Sequence, residues 1–239
     1  MPIEYTVRRS DRARRVRVTV DPRLGVEVVL PRRAPRREAA VAIDELRPWI
    51  ERRVRELSEA RAAVAARGST VPYLGGSLQL VAQPGRRRVH RRGDTLLVPT
   101  AQHIEALERW YRRAAREEIE SRLNDACAEI GRSYAGLTIR GQKTRWASCS
   151  RSGAMSFNWR LLLAPEPVLD YVIWHEVCHL EVMDHSPRFW SLLASRCPHY
   201  KQQLRWLRRH GATLTLSPPG NGAVPDMGSP RSAVRPVHA

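Results

Sequence analysis

Tyr171-Val172-Ile173-Trp174-His175-Glu176-Val177-Cys178-His179-Leu180-Glu181-Val182-Met183-Asp184-His185 is the stretch on which the reading of this chain turns. On a helix, His175 and His179 lie one turn apart and leave the same face. Two imidazoles so placed can share one metal ion. Glu176, the next residue round, reaches a water on that ion without binding the ion itself. The alternative is two ordinary helical histidines, and the context weighs against it. Val168, Leu169, Tyr171, Val172, Ile173 and Trp174 precede the pair, and Leu180, Val182 and Met183 follow, so the helix reads as buried on nearly every side. Burying two His and a Glu there is costly unless they are paired or bind metal.

A catalytic metal of this kind takes three protein ligands and keeps one position for water. No Glu follows Glu181, and the later carboxylates are only Asp184 and Asp226, which excludes a Glu from a later helix. His185 remains. A continuous helix would carry it about 15 Å from His175, so the helix must end near Leu180 and the chain must turn back. Ser186 as N-cap and Pro187 as first helical residue start the next helix directly after His185. Metzincins share this spacing, with a Gly in the turn and a later Met-turn. Here Val182 occupies the Gly position, and the only Met beyond Met183 is Met227 in the tail.

At 239 residues the chain holds one large domain or two small ones. Its net charge of +17 is carried almost wholly by Arg, since only Lys143 and Lys201 are lysines. Two readings of that charge stand side by side: an anionic partner such as nucleic acid or a nucleotide, or solvated helix faces. Cys127, Cys149, Cys178 and Cys197 are widely spaced without a C-x-x-C, which excludes a zinc ribbon and a disulfide framework and points to a reducing compartment. Cys178 should point away from the two His, into the core. Met1–Tyr5 lacks a signal-peptide pattern, and no run reaches membrane-spanning length. The expectation is a soluble, cytoplasmic protein without a membrane partner.

Outward from the motif, residues 3–30 alternate as three strands around Ile3-Tyr5-Val7, Val16-Val18-Val20 and Val26-Val28-Leu30, with a turn at Asp21–Gly25. Pro35 and Pro48 open two helices, the second with Trp49, Ile50, Val54 and Leu57 as its stripe. Tyr73–Val81 reads as a hairpin or bent strand, Leu96–Val98 as a short strand, and Arg86–Arg92 as an exposed basic hairpin tip that could also meet phosphate. His103–Gly131 is a long amphipathic helix. Leu137–Arg160 reads as two or three antiparallel strands, and Pro187–Ser195 and Pro198–His210 as helices. This predicts an α+β chain in three parts: a β-rich N-terminal region with helices over 1–100, a catalytic domain over 101–216 and a disordered tail over 217–239.

From Gln142 onward the chain resembles the YgjP-like metallopeptidase family, relatives of the SprT-like and WLM proteases. The resemblance runs through Gln142-Lys143-Thr144-Arg145-Trp146, Ser148-Cys149-Ser150, Asn158-Trp159-Arg160-Leu161, Asp170-Tyr171, the His175–Leu180 motif, His185-Ser186-Pro187-x-Phe189-Trp190, Cys197-Pro198-x-Tyr200 and Trp206-Leu207. Ala147 stands where a Gly is common. The resemblance implies a zincin-like fold, with a long helix backing a small antiparallel sheet. It implies one zinc per chain on His175, His179 and His185, with Glu176 catalytic, in agreement with the spacing. In zincins the sheet edge accepts an extended peptide, which places Arg145, Trp146, Ser148 and Asn158 near substrate.

The expected chemistry is hydrolysis. Zinc brings its water toward a pKa of ~7 and Glu176 takes the proton as that water attacks. Tyr200, His199 and Arg145 are candidates to stabilise the developing oxyanion. The expected substrate is a protein or peptide. Two rivals stand beside this reading. A metal-dependent phosphohydrolase acting on a nucleoside triphosphate would use the same water and the Arg-rich surface. A nucleic-acid-binding protein with a structural zinc would want four ligands and no Glu176.

Overall fold

The computed structural model describes residues 2–21, 25–142 and 145–217. The expected tail beyond residue 217, part of the expected turn at 21–25, and Lys143 and Thr144 lie outside the described residues. The Val-rich alternation near the N-terminus forms β1 (Tyr5–Ser10), β2 (Arg17–Asp21) and β3 (Gly25–Pro31). Their order is β1-β3-β2, with β3 parallel to β1 and antiparallel to β2. Side chains at every second position share a face. One face carries Val18, Val26, Val28 and Leu30, which pack against Ala39, Ala42 and Ile43 of α1 (Arg37–Glu45) and Ile50 of α2 (Arg47–Ala65). Val54, expected in the α2 stripe, is exposed.

A second sheet follows: β4 (Thr70–Tyr73), β5 (Gly76–Gln83), β6 (His90–Arg92) and β7 (Thr95–Pro99), ordered β4-β5-β7-β6. The β4–β5 hairpin turns through Leu74 (φ 49°) and Gly75 (φ 88°), the second a backbone conformation suited to glycine. Its tip is anchored by the Leu74 N–H, which donates to Leu162 O at 2.8 Å. The second sheet shares its core with the long helix that follows residue 100. Leu78, Leu96 and Val98 lie in one core with Leu107 and Tyr111 of the long helix α3 (His103–Glu129), while β1–β3 have a core of their own. Strand patterns show which face is apolar but not which element covers it. The Tyr111 hydroxyl also donates to Pro72 O at 2.5 Å.

The helix α3, about 40 Å long, buries Ala106, Leu107, Trp110, Tyr111, Ala115, Ile119 and Leu123 at helical spacing. Behind it come β8 (Gly136–Arg140), β9 (Ala147–Cys149) and β10 (Ala154–Asn158). The order is β8-β10-β9, and β10 pairs antiparallel with β9 but parallel with β8. The sheet expected to be antiparallel is therefore mixed; alternation is the same for either direction, so the residue pattern does not encode it. β9 is an edge strand. A 3₁₀ turn (Trp159–Leu163) leads into α4 (Glu166–Cys178), then α5 (Pro187–Arg196) and α6 (Tyr200–His210). Arg122 of α3 fixes the start of α4 through ion pairs to Glu166 at 2.5 Å and Asp170 at 2.7 Å. A small contact of Leu57 and Ala60 with Ala212 joins α2 to the end of the chain, and Arg67 donates to Thr213 O and Thr215 O. Among the described residues no helix is long and apolar enough to cross a membrane.

Candidate active site

His175 and Glu176 sit in the last turn of α4, and His179 is its C-cap. The helix ends by tightening: His179 N–H donates to Glu176 O, Leu180 N–H to Val177 O and Glu181 N–H to Cys178 O, each three residues back. The chain then reverses so that His185 returns to His175, their Nε2 atoms 3.1 Å apart. Asp184 Oδ1 accepts the Ser186 N–H at 2.9 Å and shapes this return. Ser186 precedes Pro187 as expected, but its side chain makes no capping hydrogen bond. One ligand atom from each of His175, His179 and His185 lies within 4.8 Å of the others.

Two aromatic residues support the three imidazoles. Phe189, fully buried on α5, has its ring centroid 4.9 Å from His175, 4.6 Å from His179 (stacked) and 4.8 Å from His185. Trp190 donates its indole N–H to His185 O at 3.0 Å and stacks on Tyr200, centroids 5.6 Å apart. Neither residue follows from the metal-ligand spacing; their signal was the His185-Ser186-Pro187-x-Phe189-Trp190 stretch of the resemblance, which gave them no role.

The imidazoles fit a metal. His179 Nδ1 faces Val182 O at 3.0 Å, which fixes the proton on Nδ1 and leaves the Nε2 lone pair free. Burial pushes the His179 pKa down. Burial and then the neighbouring His179 and His185 push His175 down to about 3. Both rings are thus neutral at ordinary pH, the form that donates a lone pair. His175 Nδ1 and Glu176 Oε2 are buried without a hydrogen-bond partner. Burial raises the Glu176 carboxyl to about 8, against the opposing pull of the Cys149 N–H bonded to it and of the nearby Arg145 charge. Cys149 closes β9, so the edge strand is tied directly to Glu176.

The other expected site residues divide. Arg145 is exposed and acts electrostatically on Glu176. Ser148 lies on the edge strand, its hydroxyl 2.9 Å from that of Ser156. Trp146 and Asn158, expected beside substrate, are interior residues at 2 % and 0 % exposure. Trp146 packs on Gly211, where an added Cβ would approach its ring to 3.1 Å. Asn158 donates to Gln142 O at 2.9 Å and Arg145 O at 3.4 Å and accepts from the Arg160 N–H, so it fixes the loop before β9. Polar and amphipathic residues look alike in sequence whether they line a cleft or fasten a loop. Tyr200 is buried against Trp190, and His199 is exposed. Cys178 is buried, as expected.

The family model described as YgjP-like, metallopeptidase domain, matches residues 14–210. Among solved structures the chain is similar to two metallopeptidase zymogens. One is jannalysin of Methanocaldococcus jannaschii, at 20 % identity over 37 % of this chain and 94 % of that one, with a TM-score of 0.32. The other is abylysin of Pyrococcus abyssi, at 23 % identity over 37 % of this chain and 92 % of that one, with a TM-score of 0.33. No curated protein matches the chain. With the family match spanning most of its length, including the two helices and the turn that carry the histidines, the chain belongs to the YgjP-like family of metallopeptidase domains.

Proposed function

We propose that the chain is a zinc-dependent peptidase in which His175, His179 and His185 hold the ion and Glu176 is the general base. The observation that carries this is the convergence of three imidazoles beside one buried carboxylate that the edge strand itself holds. Zinc bound there supplies Lewis acidity toward a carbonyl oxygen and lowers the pKa of water. Among the described residues the ligand group contains three members and no fourth, which leaves a coordination position open and argues against a closed structural site.

The chain's own residues account for the proton transfers. A carboxyl raised to about 8 by burial takes up and returns a proton close to neutral pH, and the positive charge of a bound cation draws that value down toward it. The Cys149 N–H fixes the orientation of the carboxyl. Among the described residues the outer side of β9 has no partner in the sheet, so an extended peptide can pair there as a further strand and present its carbonyl beside Glu176. Arg145, exposed at the start of that edge, is placed to stabilise negative charge as it develops. Tyr200, buried and stacked, acts instead on Trp190.

The test is mass spectrometry of products from zinc-loaded protein incubated with an unfolded protein and a nucleotide mixture, with Glu176→Gln alongside. New peptides from the wild type, reduced at least ~10²-fold in the variant at equal zinc content, are the expected result. Equal peptide yield from both proteins removes Glu176 from its role. Nucleoside monophosphate without peptides removes the peptidase reading in favour of phosphoanhydride cleavage.

A further inference from the structure

Beyond the triad, the loop after β8 begins over a cluster of nitrogen donors that the hydrolytic reading leaves unused. Arg160 is only 9 % exposed, and its Nε and Nη1 are buried with no hydrogen-bond partner. The indole N–H of Trp159, itself 1 % exposed, is unpartnered in the same way. A Cβ placed on Gly141 would meet Arg112 Nη2 at 2.7 Å, Trp159 Nε1 at 3.2 Å and Arg160 Nη1 at 3.5 Å. Donors from α3 and from the 3₁₀ turn therefore converge beside one residue that lacks a side chain. The nearby carboxylate, Glu108, is already taken by Arg112 Nε at 2.9 Å and Nη2 at 2.7 Å.

A guanidinium does not shed its proton, so burial cannot be relieved by neutralisation. Burial does pull the Arg160 pKa down, with Glu108 opposing from a distance. The Trp159 ring, 4.6 Å from Arg160 Cζ, offsets part of the cost. No carboxylate pairs with Arg160 among the described residues. A water molecule would satisfy the donors but not the charge; an anion satisfies both.

We propose that the buried Arg160 and Trp159 indole N–H, together with the partly exposed Arg112, form a site for one oxyanion, the oxygens of a phosphate or a carboxylate accepting hydrogen bonds from all three. The site adjoins Asn158, whose side chain fastens Gln142 O and Arg145 O. An anion held there braces Asn158 and, through its bond to Arg145 O, the residue whose charge acts on Glu176.

The test is thermal unfolding of the full chain in sodium phosphate, sodium acetate and sodium chloride at one ionic strength, for the wild type and Arg160→Met. Removing an uncompensated buried charge should leave the variant at least as stable as the wild type in chloride. At about 100 times Kd, the oxyanion should raise the wild-type Tm by roughly 5–10 °C and leave the variant unmoved. A response to phosphate alone assigns a phosphate-type ligand, and a response to acetate alone assigns a carboxylate. No response to either, or the same rise in both proteins, overturns the site. If Arg160→Met does not fold, the wild type still decides. The indole ¹⁵N–H resonance that disappears in Trp159→Phe must shift on titration, and an unmoved resonance overturns the proposal.

Discussion

At the level of single residues, His175 and Glu176 are adjacent groups held away from their solution behaviour in opposite directions. Glu176 keeps its proton to about 8 when folded against an ordinary 4.5, so folding binds a proton that the unfolded chain releases between those values. Stability of the metal-free protein therefore falls as pH rises from 4.5 to 8. His175, at about 3 when folded against 6.5, works the other way and costs stability as pH falls from 6.5 to 3. The two slopes oppose between 4.5 and 6.5 and separate above it. From pH 6.5 to 8, the Tm of metal-free wild type should fall while that of Glu176→Gln stays level, which differential scanning calorimetry can follow. A parallel fall in both would reject burial of this carboxyl as the cause. The convergence of the three histidines was legible because an i, i+4 His pair, a third His and a Pro start signal restrict each other tightly. Trp146 and Asn158 were not legible as interior residues. Nothing local separates an indole that meets substrate from one that meets Gly211.

At the level of elements, the return from α4 to α5 begins with backbone hydrogen bonds and is completed by side chains. Trp190 reaches back to His185 O, and Asp184 caps the Ser186 N–H. Trp190→Phe keeps the stack on Tyr200 and loses the N–H, so zinc affinity should fall roughly 10–100-fold with the fold intact. Competition against a chromophoric chelator, with circular dichroism alongside, measures this; unchanged affinity would free the His185 loop from Trp190. Arg122 sets the other end of α4. Arg122→Ala leaves Glu166 and Asp170 without their shared cation and should cost about 1–2 kcal/mol in urea unfolding, a modest figure because both carboxylates are partly solvated. The helices and most strands were readable from period and Pro–Gly punctuation. The direction of β8 against β10 was not, since pleating repeats every two residues whichever way a neighbour runs.

At the level of the whole molecule, the chain has a large core containing the histidine helix and a smaller one under β1–β3. Their packing link at Leu57, Ala60 and Ala212 is small. Hydrogen exchange should therefore show zinc protecting α4, the 179–186 turn and α5 while β1–β3 exchange at an unchanged rate. Equal protection of β1–β3 would mean that the two cores open together. That residues 70–99 pack on the long helix was hard to foresee for the same reason as this link: an apolar stripe shows that something covers it, not what.

Phe189 touches all three imidazoles, and this gives the site a particular way of failing. Ligands resting on separate supports could be lost singly, with binding declining by stages as neighbours vary. Ligands resting on one ring are disturbed together, so a change at residue 189 moves three bonds in a single step. Loss of the Trp190 N–H reaches His185 alone, whereas a change at residue 189 reaches every ligand.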